Sequence, residues 1–264
     1  MGQGAAVPTT MGITLKPSRV IARMKRGGEI VAEALSAVRK AVQPGISTAE
    51  LDAIAEETIR MHKGARPAFK GYRDYPATLC VSVNEEVVHG IPARDRRLRE
   101  GDIVSLDIGV QLNGYFTDAA ITVPVGKIPD EVAKFLAVTE RALMEGINEA
   151  RPGGRLGDIS ATIQGIAEGN GYSVVRSLVG HGIGSSLHED PQVPNFGNPD
   201  TGIELVEGLV LAIEPMFNMG GWEVRTLRDN WTVVTVDGSC SAHFEHTVAI
   251  TRDKPLILTA CGLC

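Results

Sequence analysis

From Asp102 to Val123 the chain is mostly apolar, and the exceptions are informative. Ile103, Val104, Leu106 and Ile108 lead into Asn113-Gly114, and Phe116 and Ile121 follow it. Asn-Gly is a strong hairpin signal, because a type I′ turn needs positive φ at both central residues. The pattern predicts strands over 102–111 and 115–123. Leu112 then faces Tyr115, Gly109 faces Asp118, and Asp107 faces Ala120. Alternation places Asp107 and Asp118 on one face, diagonally adjacent. Two carboxylates so close among apolar residues either share a proton or hold a cation between them. Taken alone, a solvated hairpin face bearing two acids is the simpler reading.

The rest of the pattern predicts helices and short strands in turn. Ser18 to about Val42 reads as a helix with Ser18 as its N-cap, weakened in the middle by Gly27-Gly28 and followed by Pro44-Gly45. Ser47-Thr-Ala-Glu50 is a capping box opening a helix to about His62. Pro129 to about Ala150 and Leu156 to Glu168 are two more helices, the second closed by Gly169-Asn170-Gly171. Strands are expected at 79–83, 172–179, 208–214, 222–228, 231–236 and 242–251, with turns at Asp229-Asn230 and Asp237-Gly238.

The chain also repeats itself. Pro44-Gly45-Ile-Ser-Thr-Ala-Glu50-Leu51 echoes Pro152-Gly153-Gly-Arg-Leu-Gly-Asp158-Ile159, and Glu100-Gly101 through Asp107 echoes Glu207-Gly208 through Glu214. Both echoes have offsets of about 108 residues, which favours an ancient duplication. The second echo ends each time in a carboxylate after an apolar strand. Two facing halves would place those carboxylates in one cleft. Helices between mostly hairpin-connected strands suggest an α+β fold with an antiparallel sheet.

Composition narrows the class. The chain has 264 residues, 43% of them hydrophobic, enough for a sizeable core. No linker rich in Pro or Ser divides it, so residues 13–259 read as a single domain between a flexible lead (1–12) and a short tail (260–264). A net charge of −6 argues against a nucleic-acid or anionic-membrane surface. No apolar run is long enough to span a bilayer, and the first ten residues lack the features of a secretory signal. Sparse cysteine (Cys80, Cys240, Cys261 and Cys264) suits a reducing cytoplasm, and Cys261-Gly-Leu-Cys264 reads as two free thiols.

Three more residues complete a constellation. Glu214 ends the apolar strand Leu209–Ile213 just before Pro215. Glu245 lies within Phe244-Glu-His-Thr-Val248, and His181 within Val179-Gly-His-Gly-Ile183. Each alone is more often structural than functional. Together, Asp107, Asp118, His181, Glu214 and Glu245 supply four carboxylates and an imidazole, enough charge to balance two divalent cations. Such a donor set suits Mn²⁺, Fe²⁺, Co²⁺ or Zn²⁺.

These residues resemble the type I methionine aminopeptidases. The resemblance rests on Gly180-His181-Gly-Ile-Gly184 with Leu187-His188-Glu-Asp-Pro191, on Asn84 through Pro92, on Asp107 and Asp118, on Ala212-Ile-Glu214-Pro-Met216, on Trp231-Thr-Val233 and on Glu245-His-Thr247. The blocks run in order over residues about 17–251. The resemblance implies the pita-bread fold: two pseudo-symmetric α+β halves around a dinuclear metal centre. It implies that Asp107 binds one metal, that Asp118 and Glu245 bridge both, and that His181 and Glu214 hold the other. It makes Glu214, His89 and His188 the catalytic residues, the two histidines contacting substrate rather than metal. It places the pocket for the substrate methionine at Phe69, Tyr72, Tyr75, Cys80, Leu187 and Trp231. Phe69 and Leu187 depart from the residues common among relatives, Cys and an aromatic. It assigns a monovalent cation to Asn84 and Ser241.

The implied reaction is metal-dependent removal of an N-terminal methionine that precedes a small second residue. The implied partner is the N-terminus of a peptide or nascent chain, with transient association with the ribosome, and the implied enzyme is a cytoplasmic monomer. A prolidase or Xaa-Pro aminopeptidase shares the metal fold and is the alternative reading. A non-enzymatic binding protein of this fold would have lost ligands, and all five are present here.

Overall fold

The computed structural model describes residues 12–260. The lead ahead of Gly12 and the Cys261–Cys264 pair lie outside the described residues. The hairpin forms in the register that the Asn-Gly turn dictates. Strands Ile103–Leu112 and Tyr115–Pro124 pair antiparallel, Leu112 opposite Tyr115, Gly109 opposite Asp118 and Asp107 opposite Ala120. Asn113 and Gly114 both have positive φ, 51° and 84°.

This hairpin supplies two strands of the main sheet. Leu79–Val83 and Ala65–Pro67 pair along the outer edge of Ile103–Leu112, at successive stretches of it. On the inner side, Tyr115–Pro124 meets Glu245–Ala249, which pairs in turn with Val210–Ile213. Gly180–Gly182 and Glu189–Val193 finish the far edge. All these pairings are antiparallel. Among the described residues the four α-helices are α1 (Ser18–Ala41), α2 (Thr48–Arg60), α3 (Asp130–Glu149) and α4 (Leu156–Gly169).

Each half of the sheet buries one face against its own helix pair. Val104, Leu106 and Ile108 pack in a core with Ile30, Leu35, Leu51 and Ile59 of α1 and α2. Leu211, Ile213 and Val248 pack with Phe135, Leu143, Ile159 and Ile163 of α3 and α4. The alternate positions of the same strands face the opposite way, and those positions carry the acids.

The duplication is visible in the backbone. Gly45 N–H donates to Leu98 O and Leu98 N–H to Ile46 O; Gly153 does the same with Leu205, and Leu205 with Gly154. Gly101 pairs with Val125 and Val125 with Asp102; Gly208 pairs with Ile250 and Ile250 with Leu209. At the helix starts, Glu50 accepts from Ser47 N–H at 2.9 Å and Asp158 from Arg155 N–H at 2.7 Å. Ser47 closes the full capping box.

Several expectations need correction. Ser18 is the first helical residue of α1; Pro17 occupies the N-cap position, and no side chain caps the helix. The expected strand 172–179 shrinks to Ser173–Val174. The expected strand 242–251 is broken at Phe244: Ser241–His243 pairs with Met216–Asn218 in a separate three-stranded sheet, and only Glu245–Ala249 joins the main one. Pro215 lacks the N–H that would have carried the preceding strand onward. His181, beyond any expected strand, lies in the short strand Gly180–Gly182. Gly27-Gly28 does not break α1. A Cβ on Gly28 would lie 2.1 Å from Leu258 O, so glycine here admits the crossing C-terminal segment. No described helix is long and apolar enough to cross a membrane.

Candidate metal centre

The candidate ligands share one face of the sheet for reasons of register. Asp107 and Glu245 both lie opposite Ala120, on either side of it. Asp118 is two residues before Ala120 and faces the same way. Thr247, Ala212 and His181 are successive cross-strand neighbours, and Glu214 follows Ala212 by two. Directly opposed residues and residues two apart share a face. Five strands from both halves therefore point Asp107, Asp118, His181, Glu214 and Glu245 to one side. Ala120 and Ala212, both buried, are small and leave the space between them open.

The contacts are close. Donor atoms of Asp118, His181 and Glu245 all lie within 4.8 Å of one another. His181 Nε2 is 3.5 Å from Glu214 Oε1 and 3.7 Å from Asp118 Oδ2. Its Nδ1 is 2.8 Å from Gly182 O, which turns Nε2 toward the acids. Thr247 Oγ1 accepts from Asp118 N–H at 3.0 Å and lies 3.1 Å from Asp118 Oδ1. Asn195 Nδ2 donates to the Glu214 carbonyl at 2.9 Å.

The electrostatics call for cations. Burial, then the neighbouring acids, push the carboxyls of Asp107, Glu214 and Glu245 well above their ordinary range. Burial raises Asp118 to about 6, partly offset by His188 and Thr247. Buried like charges cannot all ionise unless something positive lies among them. Asp107 Oδ1 is buried with no hydrogen-bond partner. Oxygen-rich donors with one imidazole, and an orphaned carboxylate oxygen among them, fit divalent metal.

A cavity of about 160 Å³ opens onto this cluster, lined by Phe69, Tyr72, Arg73, Tyr75, Cys80, His89, Leu187, His188 and Trp231 beside the acids. Its size suits one side chain rather than a drug-sized ligand. Tyr75 packs edge-on against Trp231, ring centroids 5.0 Å apart, and its hydroxyl donates to Gly90 O at 2.9 Å. Tyr72 OH is 2.9 Å from His188 Nδ1, and their rings stack. His89 lies near Trp231 with a φ of 59°, a strained backbone of the kind that gathers at functional sites. Burial lowers His89 and His188 to about 4, so both rings are neutral near pH 7. The buried Lys16–Glu189 ion pair braces the segment carrying Leu187 and His188, since Glu189 also accepts from Ser186 N–H. A larger groove of about 480 Å³ runs past Leu15, Pro17, Ile21 and Leu256, but no carboxylates and imidazoles converge in it.

Asn84 and Ser241 are adjacent, Ser241 N–H donating to Asn84 O at 2.8 Å. The Ser241 hydroxyl donates to Phe217 O, and the Asn84 amide to Asp102. Sequence reasoning assigned no role to Thr247, Asn195, Arg73 or His243. Thr247 was findable, because it shares a face with Glu245 two residues earlier. His62 lies beside Glu33, and His246 Nδ1 is 2.9 Å from Thr259 Oγ1, so neither reaches the cluster.

Residues 22–252 match the metallopeptidase family M24, and the chain belongs to that family. It is 54% identical over 247 residues to methionine aminopeptidase 1 of Bacillus subtilis, across 94% of this chain and 99% of that protein. It is 53% identical to the methionine aminopeptidase of Clostridium perfringens, again across 94% of this chain. Its fold is similar to the crystal structure of methionine aminopeptidase from Thermotoga maritima, with a TM-score of 0.93 and 46% identity, covering 94% of this chain and all of that one. The prolidase of Pyrococcus furiosus shares the fold at 23% identity and a TM-score of 0.76, but this chain spans only 65% of it. The architecture is thus the pita-bread fold.

Proposed function

We propose that this chain is a methionine aminopeptidase, releasing N-terminal methionine from peptides and nascent chains whose second residue is small. The observation that carries the reading is the pairing of a cavity sized for one side chain with an acid-and-imidazole cluster at its floor, in a chain more than half identical to named methionine aminopeptidases. Asp107, Asp118, His181, Glu214 and Glu245 would hold two divalent cations (Co, Mn, Fe or Zn). When bound, such ions polarise a carbonyl and lower the pKa of water toward ~7.

The chain's own residues do the rest. Tyr72, Tyr75, Cys80, Phe69, Leu187 and Trp231 enclose the thioether side chain, which adapts to aromatic and sulfur walls. Glu214 takes the proton of the attacking water on a carboxylate oxygen and returns it to the leaving nitrogen. His188, its ring held by Tyr72, donates to the carbonyl oxygen as charge develops there. His89 faces the scissile nitrogen. Asn84, in the turn after Leu79–Val83, and Ser241, at the start of the Ser241–His243 strand, are the place for a structural monovalent cation, a reading supported by their adjacency. Sparse cysteine supports a cytoplasmic setting, and likeness to methionine aminopeptidases supports a monomer met transiently by nascent chains at the ribosome.

The test is methionine release from Met-Gly-Met-Met and Met-Ala-Ser with added Co²⁺ or Mn²⁺, set against an Xaa-Pro peptide. Release from the first two and not the third is expected. Cleavage of the Xaa-Pro peptide instead would move the chain to the prolidase reading.

A further inference from the structure

His243 is the last residue of the Ser241–His243 strand and is 2% exposed. Neither ring nitrogen has a hydrogen-bond partner among the described residues. Native interiors seldom leave an imidazole unpaired at both ends, and the cost of doing so is substantial. The backbone at His243 is fixed in place. Thr122 Oγ1 accepts from His243 N–H and donates to His243 O, each at 2.8 Å. Across the strand pair His243 faces Met216, two residues beyond Glu214.

What the ring faces is Glu214. His243 Nε2 lies 3.8 Å from Glu214 Oε2, just beyond hydrogen-bond distance. His181 Nε2 lies 3.5 Å from the other oxygen, Oε1. The carboxylate thus sits between two imidazoles, one to each oxygen, with its backbone held by Asn195. The two oxygens are not equivalent. Oε1 faces His181 of the candidate ligand set, and Oε2 faces His243.

We propose that His243 is a positioning residue whose Nε2–H donates to Glu214 Oε2 and fixes the carboxylate's rotation, so that Oε1 stays toward the ligand set. This rests on the function proposed above, in which Glu214 both ligates and shuttles. A carboxylate with two tasks must not exchange its oxygens by rotation, and a donor beside one of them prevents the exchange. An ionised carboxylate only accepts, so the nitrogen facing it must bear the hydrogen, leaving Nδ1 as the acceptor. A glutamine amide can supply the same N–H; leucine cannot.

The experiment compares metal-loaded wild type, His243→Leu and His243→Gln on Met-Ala-Ser, with metal affinity by calorimetry and the imidazole tautomer by ¹⁵N NMR. Partners behind a metal ligand typically contribute about 10–100-fold, so His243→Leu should lower kcat by that factor with KM within about threefold. His243→Gln should recover to within about fivefold of wild type. The ring should report hydrogen on Nε2. A Leu variant within about twofold of wild type, or Leu and Gln variants equally slow with equally lowered Tm, would overturn the proposal, as would an Nδ1-protonated ring. If wild type releases no methionine, the proposed function fails instead, and the tautomer still decides whether His243 holds Glu214.

Discussion

The two halves of the molecule share a frame but not a site. Each half has a helix pair, a glycine turn tied to a later loop, and an apolar strand running to a carboxylate. In the N-terminal half that strand turns back at once through Asn113-Gly114, and both Asp107 and Asp118 lie on one unbroken hairpin. In the C-terminal half the corresponding partners, Val210–Ile213 and Glu245–Ala249, are separated by Pro215 and the excursion that carries Trp231 and His243. The lesson is that duplication supplied the cleft and the first carboxylates, while the interruption supplied pocket wall and buried imidazole. Charge comes from both halves. The long excursion belongs to one.

Breaking that comparison begins with the ligands. Asp118→Ala removes a carboxylate from the centre of the cluster, and we expect loss of metal by elemental analysis together with a fall in methionine release of more than about 10³-fold, since an open metal site is what activates water. Two metals and normal turnover would show that the N-terminal hairpin is only structural. Glu214→Gln tests the C-terminal counterpart. Turnover should drop about 10²–10⁴-fold, the usual worth of a positioned proton carrier, with the thermal melt little changed. A fully metallated variant turning over at the wild-type rate would end the proton-shuttle assignment.

Two smaller effects sharpen the frame. Gly28→Ala pushes a methyl group into the Leu258 carbonyl, so chemical denaturation should show a loss of about 1–3 kcal/mol, as overpacking does. An unchanged denaturation midpoint would mean the crossing segment yields freely. Glu56 gives the smallest effect. Its hydrogen bond to Lys70, then that to Arg60, hold its carboxyl down at about 2, against some cost of burial. A carboxyl depressed in the fold stabilises above its unfolded pKa of about 4.5, and that contribution fades as pH falls toward 2. Because Glu56 is partly exposed, Glu56→Gln should cost less than about 1 kcal/mol at pH 7, and nothing at pH 2. An equal deficit at both pH values would rule out the ion pairs as its source.

Much of this was legible in the chain, unevenly. The Asn113-Gly114 hairpin was readable to the residue, because the turn is local and fixes the ladder. The four helices were readable because caps and breakers are local too. Strands of two or three residues, such as Ala65–Pro67 and Glu86–Val88, were not, because they exist only by pairing with distant segments. The strand break at Phe244 was hidden because nothing local in the run 242–251 marks where it changes partner. At the site, the acids announced themselves by being charged in apolar strands. Asn195 and His243 did not, since each acts through an atom of Glu214 that is far away in sequence.

The Asn113-Gly114 turn also works as a proofreading device. It sits about six residues from Asp107, roughly 20 Å along the strand at about 3.3 Å per residue. A slip of one residue at that turn would swap the faces of the whole hairpin. Leu106 and Ile108 would then fill the cavity floor, and Asp107 would be driven into the hydrocarbon between sheet and helices. A chain that has folded at all has therefore already aligned its acids.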